Sequence, residues 1–271
     1  MVNATTWDRV SAVGPYFEVT AGPRAHTAGF RPMTELHTAA GPLDTSVGLV
    51  GRRIGTDEAR VAASTLHLGT ASRLWSVALA SAALTGAVPD LDPEGLWWRR
   101  TATGPLELWL PAPRFLTTEP DGDADSDTGS DSDDTGPTDD TDDTDDTDDT
   151  EDVGDTDAVL HRTVVRRNLI PLADTVRRAY GVSPHTLRGN AASALVGAAR
   201  VLTTRAPDAP HPVLPLVRAL LDRPPLAGAG TLHTGRPHTL TFHRRSCCLY
   251  YRVPGAGTCG DCVLNTRERT A

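Results

Sequence analysis

The sequence predicts an α+β fold: a predominantly helical body with a few short strands and a C-terminal cysteine-rich segment. Three observations carry that prediction. Apolar residues recur at helical spacing in stretches beginning near Thr56, Pro171, Ser183 and Pro212. Alternation of the strand type is confined to residues 96–110 and to the residues around Leu240 and Phe242. All four cysteines of the 271-residue chain fall within sixteen residues, from Cys247 to Cys262.

Residues 1–118 read as the first part of the body. Up to residue 55 the signals are weak, because Pro15, Pro23, Pro32 and Pro42 divide any pattern into short pieces. Thr56 suits a helix N-cap, with Asp57 and Glu58 at the positive end of the dipole. Gly69-Thr70 is expected to break that helix. The run that follows has Ala71, Leu74, Trp75 and Ala78 on one face and Val77, Ala80 and Leu84 on others, which predicts deep burial. Gly86 and Pro89 end it. Its uncharged stretch, Leu74–Val88, is shorter than a bilayer span and contains Ser76, Ser81 and Thr85. It therefore reads as a core helix, and no integral membrane segment is expected. In residues 96–110, Leu106, Leu108 and Leu110 alternate with Glu107 and Trp109 after a turn at Thr103-Gly104-Pro105.

Residues 119–157 differ in kind. They hold 20 acidic residues and no basic one, and from Asp139 they repeat Asp-Asp-Thr. A segment with so little apolar surface cannot offset the entropy of ordering, so a disordered acidic insertion is expected, with adventitious calcium binding a lesser reading. Outside it, 15 acidic residues face 26 basic ones, all Arg, a formal charge of +11 against −9 for the whole chain. The body is basic, but no helix-turn-helix or aromatic-basic module accompanies the charge, so no nucleic-acid partner is expected.

Residues 158–236 form the helical second part. Pro171 opens a helix with Leu172, Val176, Ala179 and Tyr180, stopped by Gly181. Ser183-Pro184 is a cap and first-turn pair for a helix striped by Leu187, Ala191, Ala194, Leu195, Ala198 and Leu202. Pro212–Arg223 gives another, ended by Pro224-Pro225. Residues 237–271 then carry a short strand into the cysteines.

The cysteine spacing points to metal. The first thirty residues contain Asp8 and Glu18 but no basic, apolar leader, so a cytoplasmic location is expected, where clustered thiols stay reduced. Four thiolates are the complement of one 2Fe-2S cluster. Cys259-x-x-Cys262 lets two sulfurs converge on one metal across a turn that Gly260 would permit, adjacent Cys247 and Cys248 would then serve the other iron, and Pro254-Gly255-Ala256-Gly257 lets the loop fold back. Zinc competes, but its ribbons use two C-x-x-C pairs, and the adjacent Cys247-Cys248 aims its side chains apart.

The stretch Arg244-Arg245-Ser246-Cys247-Cys248-Leu249-Tyr250-Tyr251-Arg252-Val253-Pro254, followed by Cys259-Gly260-Asp261-Cys262, resembles the C-terminal cluster segment of FhuF-type ferric siderophore reductases. Gly189-Asn190-Ala191-Ala192-Ser193-Ala194 and Pro225-Leu226-Ala227-Gly228 also resemble family segments, and Trp97-Trp98-Arg99-Arg100 more loosely; the acidic repeat departs from the family pattern. The resemblance implies that Cys247, Cys248, Cys259 and Cys262 all bind a 2Fe-2S cluster that serves one-electron transfer. A four-thiolate diferric cluster is formally about −2. Arg244, Arg245 and Arg252 are candidates to offset that charge or to dock a partner, and Tyr250 and Tyr251 to shield the cluster.

No flavin, nicotinamide or phosphate-loop fingerprint is legible, so the electron is expected to come from a separate donor protein. The expected function is reduction of ferric siderophore complexes to release ferrous iron. The alternative is an iron-sulfur redox or iron sensor without reductase activity. A third reading, from the helical body's likeness to the ligand domain of siderophore synthetases, needs a nucleotide site that the sequence does not display.

Overall fold

The computed structural model of the chain describes residues 3–38, 41–101, 104–116, 156–235 and 239–266. The acidic run, and the disorder expected for it, lie outside the described residues except at its end. There the boundary moves. Residues 156–160 are already helical, and Asp157 is 2% exposed and paired with Arg223. A carboxylate buried against an arginine belongs to the fold, so the body resumes at Thr156 and not at residue 158.

The weakly signalled N-terminus is ordered. It contains α1 (Asn3–Ala12), short strands β1 (Thr20–Ala21) and β2 (Arg31–Pro32), a 3-10 turn (Met33–His37) and α2 (Pro42–Ile54). Proline and glycine interrupt the pattern between these pieces, yet Trp7, Val10, Phe17, Met33, Leu36 and Leu43 are all buried. They follow proline-divided segments because they are moulded onto the helix that comes next.

That helix, α3 (Ala59–Thr85), is the axis of the molecule. Twenty of its 27 residues are buried, on every face, and it packs against α1, α2 and the later helices. The break expected at Gly69-Thr70 does not occur. A mid-helix Gly costs about 1 kcal/mol, whereas burying one Leu side chain stabilises by about 1.5–3 kcal/mol, so packing along the whole length overrides the local preference. The helix also starts later than expected, with Glu58 at the N-cap, while the Thr56 hydroxyl accepts from the Glu58 N–H at 3.2 Å.

Strand β3 (Val88–Pro89) pairs with β6 (Phe115–Leu116). The alternating segment is a hairpin of β4 (Trp97–Arg99) and β5 (Glu107–Leu110), with Trp98 opposite Leu108. It extends to a four-stranded sheet in the order β1-β5-β4-β2, in which β1 runs parallel to β5. Buried Arg73 of α3 fastens this sheet to the α1–β1 loop. Its guanidinium donates to the Leu106 carbonyl at 2.6 Å and to those of Tyr16 and Glu18.

After residue 160 the chain runs as a π-helix (His161–Leu169) directly into α4 (Ile170–Tyr180). Pro171 therefore lies inside a longer helical run and does not begin one. The wider turn accommodates a residue that has no N–H to donate, and Ile170 N–H reaches back to the Val165 carbonyl, five residues away. Gly181 closes α4 in the left-handed conformation. Ser183 caps α5 (Pro184–Arg205), its hydroxyl accepting from His185 N–H at 3.3 Å, and α5 lies along α3. Then come α6 (Val213–Asp222) and an antiparallel pair, β7 (Gly230–Gly235) and β8 (Thr239–Arg244), with β8 packed on α5. Among the described residues no helix is long and apolar enough to cross a membrane.

Candidate metal centre

The four cysteines sit on one loop that leaves the end of β8. Leu249 adopts φ 69°, the only left-handed non-glycine among the described residues, and this reverses the chain after Cys248. A 3-10 turn at Tyr250–Arg252 follows. Gly255 (φ 74°) and Gly257 (φ 68°) complete the fold-back expected of that loop. Gly260 is not among the left-handed glycines, and a Cβ there would meet nothing, so its expected role in the turn is not required. The turn is closed instead by Cys262 N–H donating to the Cys259 carbonyl at 3.0 Å.

Cys248 Sγ and Cys259 Sγ lie 3.5 Å apart, which brings the two motifs together. The two sulfur ligands of a tetrahedral ion with bonds near 2.3 Å stand about 3.8 Å apart, so this separation suits Cys248 and Cys259 on one metal, a pairing across the two motifs and not within each as the spacing predicts. All four thiols are free, with Cys248 and Cys262 buried and Cys247 and Cys259 partly exposed. Main-chain N–H groups point at the sulfurs from two residues on: Leu249 to Cys247 at 3.3 Å, Leu264 to Cys262 at 3.4 Å, and Tyr250 to Cys248. Such donors favour the thiolate form and a negatively charged cluster. Among the described residues no three His, Cys, Asp or Glu side chains form a site for one ion. A two-iron cluster takes two thiolates per iron, and the four free thiols of this loop supply that number.

The contact between Cys248 and Cys259 lowers the Cys248 thiol below its usual range and raises that of Cys259. Burial raises Cys247.

The loop is held from three directions. On α3, the Ser64 hydroxyl donates to the Cys248 carbonyl at 2.8 Å. On α5, Asn190 donates to the Ser64 carbonyl at 2.9 Å and accepts from Arg244 at 2.8 Å. Also on α5, Arg200 pairs with Asp261 at 2.6 Å, inside the Cys259-x-x-Cys262 turn. Gly189 makes room for Ser246 and Arg244 against α5, since a Cβ there would lie 2.3 Å from the Ser246 hydroxyl and 2.8 Å from the Arg244 guanidinium. The sequence reading did not assign roles to Ser64, Asn190, Arg200 and Asp261. The Gly189–Ala194 and Pro225–Gly228 segments carried the available signal, the second ending beside Ala229, whose carbonyl accepts from Arg245 N–H at 2.9 Å.

The flanking residues separate into two groups. Arg244 is 3% exposed and donates to the carbonyls of Thr186 and Ser246, so it contributes charge from inside and cannot dock a partner. Arg245 and Tyr251 are exposed, and Arg252 is exposed but paired with Glu58 at 2.8 Å. Tyr250 is half-buried.

Residues 244–264 match the family model of the FhuF 2Fe-2S C-terminal domain. The match spans the four cysteines and identifies the cofactor of this segment as a 2Fe-2S cluster. No curated protein is significantly similar to the chain.

Proposed function

We propose that this iron-sulfur chain is a ferric siderophore reductase, with Cys247, Cys248, Cys259 and Cys262 holding its cluster. One observation carries the reading: the loop that matches the FhuF 2Fe-2S domain carries all four thiols, two of which, Cys248 and Cys259, stand 3.5 Å apart. When bound, the cluster supplies transfer of single electrons. The protein's residues support that chemistry. The N–H groups of Leu249, Tyr250 and Leu264 and the buried Arg244 stabilise negative charge at the sulfurs. Partial exposure of Cys247 and Cys259 keeps the centre close to solvent and to partners.

Hydroxamate and catecholate oxygens are hard anionic donors that hold ferric iron far better than ferrous. Each turnover takes one electron from a donor protein and gives one to the ferric ion, so ferrous iron leaves its chelate. No general acid, base or nucleophile is needed. The setting proposed is the cytoplasm, where thiols and low-potential donors coexist.

The test is anaerobic stopped-flow absorbance of the chemically reduced protein mixed with ferric siderophores, with a ferrous-specific chelator trapping the product. Reoxidation with one ferrous ion trapped per electron is expected, faster for hydroxamates than for catecholates. Cys259→Ser should abolish it together with the visible spectrum. Protein that is reoxidised by oxygen but by no ferric siderophore in a panel would make the chain a sensor.

A further inference from the structure

A cavity of about 310 Å³ opens beside the cysteine loop, with Tyr250 in its wall. Its opposite walls come from α2, α3 and the β4–β5 hairpin, which contribute Arg53, Thr70 and Arg100. Ser64, which holds Cys248, is on the same helix as Thr65 and Thr70 of this wall, the farther within about 9 Å along the axis. A larger cavity of about 630 Å³ shares Tyr16, Thr65 and Gly69 with it and is mostly apolar, with Arg205 at its edge.

Two polar groups of the smaller cavity lack partners among the described residues. Thr70 is 2% exposed, and its hydroxyl has no hydrogen-bond partner among the described residues. Nor has the buried Nε of Arg100. Arg53 is anchored through Nη1 to the Gly104 carbonyl at 2.6 Å. Among the described residues no Asp or Glu lines either cavity. Two guanidinium groups thus face one space without a carboxylate between them. Burial lowers Arg100 to about 10, and repulsion from Arg53 adds to the effect, so it still carries its charge at neutral pH. Buried donors without partners are costly, and two like charges held together more so. An anion that accepts from them relieves both costs.

We propose that this cavity seats the substrate of the reductase reading, on which the inference rests, as an anionic oxygen-donor ferric chelate. Its negatively charged oxygens lie on Arg53 and Arg100, and its apolar framework extends into the larger cavity past Tyr16. The metal is thereby held on the Tyr250 side, next to the cysteine loop. Arginine suits this task because its forked donors match paired oxygens. Neutral chelates are expected to bind the same space more weakly.

Gallium(III) takes the place of ferric iron in such chelates and cannot be reduced, so binding is measured apart from electron transfer. The probes are the gallium complexes of a hexadentate tricatechol, a trianion, and of a cyclic trihydroxamate, which is neutral. Both are titrated calorimetrically into the cluster-loaded full chain. Arg53→Glu and Arg100→Gln should each weaken the trianion about tenfold or more and the neutral complex by less than about twofold. Arg178→Glu, an exposed site on α4, makes the same charge change as Arg53→Glu outside both cavities and should leave both affinities unchanged. Iron content and melting temperature report whether each variant is folded, and exposed Arg53 keeps the test decisive if Arg100→Gln does not fold. The proposal falls if the wild type binds neither complex, if Arg53→Glu keeps its trianion affinity, or if Arg178→Glu loses as much. Arg53-dependent gallium binding without reoxidation by any ferric chelate would sink the reductase reading and leave the site standing.

Discussion

Arg244 donates to Asn190 at 2.8 Å, and Asn190 in turn holds Ser64, whose hydroxyl fixes the Cys248 carbonyl. A strand end, two helices and the cysteine loop are thus linked by a chain of buried hydrogen bonds. Arg244 and its neighbour Arg245 should therefore behave oppositely when changed. Arg244→Leu leaves three acceptors, two of them buried, without their donor and should cost about 3–5 kcal/mol. At this chain length that is a fall of about 6–20 °C in Tm, with loss of cluster iron. Arg244→Lys should rescue little, because one ammonium cannot replace a forked donor. Exposed Arg245→Leu should leave Tm and iron content unchanged. Thermal melts with iron and sulfide assays decide it, and equal behaviour of the two would refute the network.

Gly189→Ala sets two effects against each other. Alanine gains about 1 kcal/mol of helix propensity, but its Cβ would lie 2.3 Å from the Ser246 hydroxyl. Relief requires that hydroxyl to abandon its 2.7 Å bond to the His185 carbonyl. Overpacking of this kind costs about 1–3 kcal/mol, so a net loss of stability is expected, partly restored by adding Ser246→Ala. Urea melts of the two variants measure it; a Gly189→Ala protein more stable than wild type would show that the contact is loose.

His67 should make the fold acid-sensitive. It is 1% exposed, neither ring nitrogen has a hydrogen-bond partner among the described residues, and burial lowers it to about 4, with Arg244 adding to the effect. The unfolded chain takes up this proton near pH 6.5, the native one only near pH 4. Between those values the unfolded state binds more protons, so stability falls as pH drops, and it is fully present above pH 6.5. The loss amounts to roughly 3 kcal/mol at most. Denaturant melts from pH 7 to 4.5 should show a shallower decline in His67→Leu, and parallel curves would exclude this histidine as the source.

Removal of the acidic run should matter little if the cut stops short of Asp157. Loop-closure entropy varies slowly with length, so a short Gly-Ser linker in place of residues 119–155 should change stability by about 1 kcal/mol or less. Asp157→Ala removes the partner of Arg223 from a buried position and should cost about 1–3 kcal/mol. Calorimetric scans of the two proteins compare these directly. A linker variant that melts tens of degrees lower would show that the run is part of the core.

The sequence by itself determined what depends on near neighbours. The spacing of Cys247, Cys248, Cys259 and Cys262, the Ser183 cap, the Gly181 stop and the Leu106–Leu110 alternation are all set within a few residues, and each is legible there. Only the tertiary structure decided that α3 runs unbroken through Gly69, because burial along the full helix outweighs one residue's preference. It alone decided that Arg244 is buried while Arg245 is exposed, since a strand's alternate faces have no sign until something packs on one of them. Ser64 and Cys248 are 184 positions apart, as Arg53 and Tyr250 are 197 apart. No local pattern encodes such pairs. They meet through the packing around α3, which assembles the cysteine loop and the cavity beside it.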